Sequence, residues 1–62
     1  MKAKIKALKG EMVILQWKLN GCNHTVAGKV KKLQEVKFDF LINGESVRKI
    51  RYDSVTNIEL IK

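Results

Sequence analysis

The stretch VKFDFLINGESVRKIRY, residues 36–52, decides the fold, because it holds two strand patterns on either side of one turn signal. Every second residue of its first half is apolar, which is the period of a strand with one face in a core: Val36, Phe38, Phe40 and Ile42. The Asn43-Gly44 dipeptide follows, and this pair accepts the positive φ angles of a type I′ turn. We therefore predict a β-hairpin here, with Lys37 and Asp39 facing outward.

The second strand of this hairpin, residues 46–52, has a less regular pattern. Ile50 and Tyr52 share one face, which predicts a half-buried Tyr52, whereas Val47 falls in phase with the charged residues. An extra residue in one strand of a pair shifts its alternation by one position. We therefore expect a bulge near Arg48.

Two further strands precede this hairpin and cover residues 11–19 and 24–33. Asn20-Gly21 between them predicts a second tight turn. Trp17 is in phase with the apolar residues of its strand, which places it in the core. Gly28 lies on the inward face of the other strand, where the missing side chain lets a sheet bend across a corner. Leu33 falls on the lysine face, which indicates a bulge or the end of the strand.

The remaining segments complete an all-β domain. YDSV, residues 52–55, is typical of a tight turn or one 3-10 turn, because Asp and Ser side chains cap such turns. TNIELI, residues 56–61, is predicted to be a short final strand. Residues 1–10 fit both strand alternation and helical spacing, and we favour the strand. The sequence predicts a single domain, residues 1–62, folded as a small five-stranded antiparallel barrel of the SH3-like or Sm-like type.

Charge and cysteine content limit the function classes. The formal net charge of +7 lies entirely in residues 1–32, which hold eight lysines and one glutamate, while residues 33–62 hold five basic and five acidic residues. A field with one positive side steers polyanions or acidic partners. Cys22 is the only cysteine, which excludes an internal disulfide and favours a reducing cytoplasm. No apolar run reaches the length of a membrane span, so we expect no membrane association.

The segments HTVAGKVKKL, VKFDFLINGE and VRKIRYDSVTNIEL resemble the YolD-like family of small bacterial and phage proteins and, more distantly, the Sm-like barrel. The residues that match the family pattern lie within residues 11–61: Gly28, Val30, Lys32, Leu33, Ile50, Tyr52, Val55 and Ile58. The chain departs from the family in lacking its helical N-terminal region and in having QEV where an acidic turn is usual. Because some members are encoded near genes for lesion-bypass DNA polymerases, the resemblance implies a role beside DNA metabolism and supplies no catalytic residue.

Two sets of surface residues are candidates for binding. The nucleic-acid-binding candidates are lysines that would form a cross-strand patch against phosphates: Lys18, Lys29, Lys31 and Lys32. The alternative for these lysines is a solvated face that also protects edge strands from aggregation. The partner-binding candidates are outward apolar residues and the cluster in VRKIRY: Ile14, Leu41, Val47, Arg48, Lys49 and Arg51.

Catalytic and metal-binding roles are not expected. Cys22 and His24 offer two ligands where a zinc site needs three or four, and the pair has no orienting third group. We therefore predict no enzyme, no cofactor and no metal. The sequence favours a non-catalytic binding module, an adaptor or regulator of a larger protein or a self-associating subunit. The alternative is a basic nucleic-acid-binding barrel that contacts phosphates through its lysine-rich first half.

Overall fold

The computed structural model describes residues 1–61 and shows one short helix and five strands. The elements are α1 (Lys2–Ala7), β1 (Met12–Leu19), β2 (Cys22–Leu33), β3 (Lys37–Ile42), β4 (Ser46–Arg51), a 3-10 turn (Tyr52–Ser54) and β5 (Val55–Leu60). All strand pairs are antiparallel, in the order β4-β3-β2-β1-β5. The predicted five-stranded antiparallel all-β fold, with a 3-10 turn before the last strand, is confirmed.

Both Asn-Gly dipeptides make the turns that they predict. Asn20 and Asn43 have φ angles of 51° and 56°, and the glycine after each also has a positive φ. Asn tolerates this left-handed backbone better than other non-glycine residues, and Gly adopts it without a steric cost. The first turn makes Leu19 the cross-strand partner of Cys22, and so sets the register of the β1–β2 hairpin.

The core lies on the inner face of the sheet and receives side chains from every strand, with Ile50 as the contribution of β4. Its fully buried side chains come from α1, β1, β2, β3 and β5: Ile5, Val13, Leu15, Val30, Phe38, Phe40 and Ile58. Trp17 is 3% exposed, so the prediction that it is core is confirmed, and Tyr52 is buried rather than half-buried. A domain of this length buries only about 60% of the surface that its unfolded chain exposes, less than a larger domain does, so each of these side chains carries a large share of its stability.

The preference for a strand in residues 1–10 is wrong, because residues 2–7 form a helix. A six-residue helix is not stable by itself, so packing must hold it. Ile5 is fully buried in the core, and the backbone N–H of Gly10 donates a hydrogen bond of 2.8 Å to the carbonyl of Val30 on β2. The expectation that a helical N-terminal region is missing is wrong for the same reason.

Two predictions about the β3–β4 hairpin are also wrong. Val36 precedes β3 and is 58% exposed, since the chain turns there and the N–H of Gln34 bonds to the carbonyl of Lys37. The β3–β4 register is regular, so there is no bulge near Arg48, and Val47 faces solvent. The register does shift between Val30 and Leu33, as the slipped pattern predicts.

The sheet has β4 at one edge and β5 at the other. These two strands are joined by the 3-10 turn Tyr52–Ser54, and three residues span at most about 11 Å. The two edges must therefore approach each other at the turn, which requires a strongly curled sheet. Full closure into a barrel stays a prediction.

Candidate binding surfaces

Three apolar side chains and one lysine form a row across the outer face of the sheet. Lys29 is the cross-strand partner of Leu41 on one side and of Met12 on the other, and Leu41 is in turn paired with Val47. The row therefore crosses four strands, a distance of about 14 Å at about 4.8 Å per strand. Beyond Met12, the N–H of Ile61 donates a hydrogen bond of 3.0 Å to the Met12 carbonyl.

Most of this row is open to solvent. Val47 is 57% exposed and Met12 is 45% exposed, while Leu41 is half-buried between its neighbours. Ile14, two residues after Met12 and therefore on the same face of β1, is 39% exposed. We call Met12, Ile14, Leu41 and Val47, which surround Lys29, the outer apolar face.

The outer apolar face unites three of the residues selected from the sequence. Ile14, Leu41 and Val47 all lie on it, as the outward phases predict. Met12 was missed, although its place two residues before Ile14 was a usable signal. Met12 also fits the helical spacing of the first residues, so the sequence does not decide whether it belongs to a helix or to the outward face of β1.

The predicted cross-strand patch of Lys18 with Lys29 or Lys31 does not form. Lys18 is paired with Asn23 beside the first turn, whereas Lys29 is paired with Met12 at the other end of the hairpin. The two positions are six steps apart along β1, about 20 Å at about 3.3 Å per residue. Lys18 therefore lies apart from the other lysines of this set.

Lys31 and Lys32 instead lie near Lys9, which belongs to the segment after α1. Together with Lys9, they line a shallow depression of about 360 Å³, to which Val30 and Gly10 also contribute. We call this depression, lined by Lys9, Gly10, Val30, Lys31 and Lys32, the basic depression. The sequence did not indicate Lys9, because its approach to β2 depends on the hydrogen bond between Gly10 and Val30.

Of the three cations on β4, two are paired with carboxylates. The Arg51 guanidinium donates two hydrogen bonds of 3.1 Å to the Asp53 carboxylate, which hold the pKa of that carboxyl below its ordinary value. The Lys49 Nζ lies 3.7 Å from Oδ1 of Asp39, an ion pair too long for a hydrogen bond. Within residues 1–61, Arg48 makes no ion pair.

Arg48 borders a cavity between β4 and the end of β1. The cavity has a volume of about 200 Å³ and is lined by Trp17, Leu19, Arg48, Lys49, Ile50, Arg51 and Ser54. We call it the edge cavity, because β4 is an edge strand. Four consecutive residues of β4 line it, although neighbouring side chains of a strand point to opposite faces. The cavity therefore follows the edge of the strand as well as its inner face.

Single-strand binders stack bases on exposed aromatic rings, and neither Trp17 nor Tyr52 offers such a ring. The ring of His24 stacks on Trp17 at a centroid distance of 5.1 Å, and Phe40 packs against Trp17 in a T-shaped arrangement with a centroid distance of 6.2 Å. The Tyr52 hydroxyl donates a hydrogen bond of 2.7 Å to the carbonyl of Gln34, and its ring packs on Phe38. Stacking of bases by either ring would need a rearrangement of the core.

Cys22 is an exposed free thiol in the position paired with Leu19. In residues 1–61 no group of three or more His, Cys, Asp or Glu side chains is placed to hold a metal ion. None of the helices in this part of the chain has the length and apolar character needed to cross a membrane.

Comparison of the chain with protein-family models, with curated proteins and with solved structures gives no match.

Proposed function

We propose that this protein is a non-catalytic binding module that attaches to a larger protein through the outer apolar face. The single observation that carries the proposal is the pairing of Leu41 with Val47 across the strands, next to the exposed Met12 and Ile14 on the same face. Apolar side chains that cluster on the outside of a small domain mark interaction surfaces, whereas scattered ones do not.

The charge within this face favours a protein partner of defined chemistry. Lys29 stands between Met12 and Leu41 in the register, so a covering surface would need a carboxylate opposite its ammonium group. An apolar centre with one charge to match gives both affinity and orientation. The surface that fits is therefore an apolar patch with an acidic residue within it.

Site-specific photo-crosslinking in the cells from which the chain comes tests the proposal. A photoreactive benzoylphenylalanine replaces Val47 in one variant and Thr25 in the other. Thr25 is exposed on the same side of β2, four residues from Lys29, or about 13 Å. We expect a cross-linked product with one larger protein from position 47 and none from position 25.

A third variant controls for adventitious cross-linking. Adding Ile14→Lys to the position 47 variant places a second positive charge within the outer apolar face and should abolish the product. A product that forms equally from both positions, a product of two copies of this chain, or no product at all would each contradict a protein partner at this face.

The basic depression favours a second candidate function, binding of nucleic-acid phosphates. Lys9, Lys31 and Lys32 converge on it from two segments of the chain. Affinity for single strands falls with salt in proportion to the number of phosphates contacted, at about 0.7 per phosphate in a double-logarithmic plot. Fluorescence anisotropy of labelled oligothymidylate at several salt concentrations measures that slope.

The triple variant Lys9→Gln, Lys31→Gln, Lys32→Gln should reduce the slope by about 2 if this candidate is right. The single variant Lys18→Gln serves as the control, since Lys18 lies at the far end of the hairpin. Equal slopes for the wild-type chain and the triple variant would contradict phosphate binding in the basic depression.

Two further parts of the proposal, the cellular location and the family, rest on the sequence. A cytoplasmic location is proposed from the single free thiol Cys22. Kinship with the YolD-like family, and a role beside DNA metabolism, are proposed from the residues that match the family pattern. The helix Lys2–Ala7 removes one of the two departures from that pattern.

A further inference from the structure

The edge cavity is separate from both surfaces considered so far. It lies between the end of β1 and β4, on the inner side of the sheet, whereas the outer apolar face is on the other side. Its lining combines Trp17, Leu19 and Ile50 with the three β4 cations. A volume of about 200 Å³ is smaller than the roughly 300 Å³ at which sites for small organic ligands begin. It suits single side chains of a longer ligand.

The strand beside the cavity has a free edge. β4 pairs with β3 on one side and has no strand on its other side within residues 1–61. Alternate backbone N–H and C=O groups of an edge strand point away from the sheet, and an extended peptide can pair with them. Backbone pairing of this kind gives affinity, and pockets beside the strand select the side chains.

The charges around this edge determine the chemistry of the ligand. Arg48 is unpaired within residues 1–61, and Arg51 and Lys49 are balanced by one carboxylate each. The β4 strand therefore carries one unbalanced positive charge, that of Arg48. A second β4 edge would bring a second unpaired arginine to the first, whereas an acidic segment would neutralise it.

We infer that the β4 edge binds an extended acidic peptide segment of a partner protein, which adds a strand beside β4, places an apolar side chain in the edge cavity and sets a carboxylate on Arg48. The inference rests on the proposed function, attachment to a larger protein, because the peptide segment would belong to such a protein. It uses a different surface, so the two sites can be tested separately.

Fluorescence anisotropy with the full chain tests the inference. The probe is a fluorescein-labelled eight-residue peptide that alternates glutamate with valine, so that one face is acidic and the other apolar. We expect saturable binding, weakened at least about tenfold by Arg48→Gln, since a hydrogen bond to a charged group contributes on that scale. Lys4→Gln removes the same charge from α1, outside the edge cavity, and should leave the affinity unchanged.

Two further probes separate strand addition from general attraction. The same peptide with N-methyl groups on alternate residues keeps its charge but cannot pair with β4, and we expect it not to bind. Any affinity for an eight-residue oligothymidylate should be independent of Arg48. Circular dichroism of Arg48→Gln should match that of the wild-type chain, because Arg48 is exposed.

Several results would overturn the inference: undiminished binding of the methylated peptide, equal losses for Arg48→Gln and Lys4→Gln, or an Arg48-dependent affinity for the oligonucleotide equal to that for the peptide. Sedimentation of the chain alone as a dimer or larger ring, abolished by Arg48→Gln, would assign the β4 edge to a second copy. Peptide binding should survive Val47→Lys on the outer apolar face, so the failure of one site is distinguishable from the failure of the other.

Discussion

The ring of Phe40 lies against the α-carbon of Gly28, so closely that an added Cβ would be 2.9 Å from Cζ of that ring. The same Cβ would also meet the backbone carbonyl of Leu41. Phe40 is fully buried, and the Leu41 carbonyl belongs to the paired strand β3. Neither can move aside, so Gly28 is required by packing, as its position on the inward face of β2 predicts.

Gly28→Ala should therefore be strongly destabilising. Overpacking of a close-packed core costs about 1–3 kcal/mol, and we expect the upper part of that range. Urea unfolding followed by Trp17 fluorescence measures the change. Gly10→Ala is the matched control, because Gly10 has a φ of +84° with open space around it and should cost about 1 kcal/mol for backbone strain. A Gly28→Ala cost no greater than that of Gly10→Ala would contradict the packing argument.

The helix α1 should depend on one side chain. Ile5 is fully buried, whereas its neighbour Lys4 is exposed. Ile5→Val should lower the free energy of unfolding by about 1 kcal/mol, and Lys4→Ala should change it by less than about 0.5 kcal/mol. Hydrogen exchange at the Gly10 amide, which is bonded to Val30, should accelerate in the first variant alone. Equal effects of the two substitutions would mean that α1 does not belong to the core.

The Tyr52 hydroxyl should stabilise the connection between β2 and β3. Tyr52→Phe keeps the ring that packs on Phe38 at 5.4 Å and removes the hydrogen bond of 2.7 Å to the Gln34 carbonyl. We expect a loss of about 1 kcal/mol in thermal or urea unfolding. Thr56→Val removes an exposed hydrogen bond to the Gln16 carbonyl and should cost less. A larger loss for Thr56→Val would contradict this ranking.

The Arg51–Asp53 pair gives a small dependence of stability on pH. Arg51 lowers the pKa of the Asp53 carboxyl in the folded chain, so the pair stabilises the fold above the unfolded pKa, about 3.9. The stabilisation is lost as the pH falls through the lower, folded pKa. Asp53→Asn should slightly lower the Tm at pH 7 and low ionic strength, and the difference should vanish near pH 2. A difference that is unchanged at pH 2 would exclude an ionic origin.

The sequence predicted strands where alternation and turns agree, and it failed where tertiary contacts decide. Phe38 and Phe40 are buried, as alternation in β3 requires, but Val36 in the same phase is exposed because the chain turns before Lys37. Residues 2–7 alternate like a strand, and only the burial of Ile5 by the rest of the domain selects the helix. The pattern of a short segment carries no information about its packing against residues that are distant in the sequence.

The candidate surfaces were predicted to a similar degree. Outward phases found Ile14, Leu41 and Val47, since a strand fixes which face each residue takes. The convergence of Lys9 with Lys31 and the position of Trp17 beside Arg48 join segments that are not neighbours in the sequence. Only the curl of the sheet and the docking of the N-terminal segment bring them together.

The affinity of the partner captured through position 47 tests the central claim most directly. Isothermal titration would compare the wild-type chain with Val47→Lys and with Thr25→Lys, which adds the same charge to the same side of the sheet outside the outer apolar face. We predict that Val47→Lys weakens the Kd at least tenfold, on the scale of about 1.4 kcal/mol or more for a central contact, and that Thr25→Lys does not. Equal affinities for all three proteins would contradict binding through the outer apolar face.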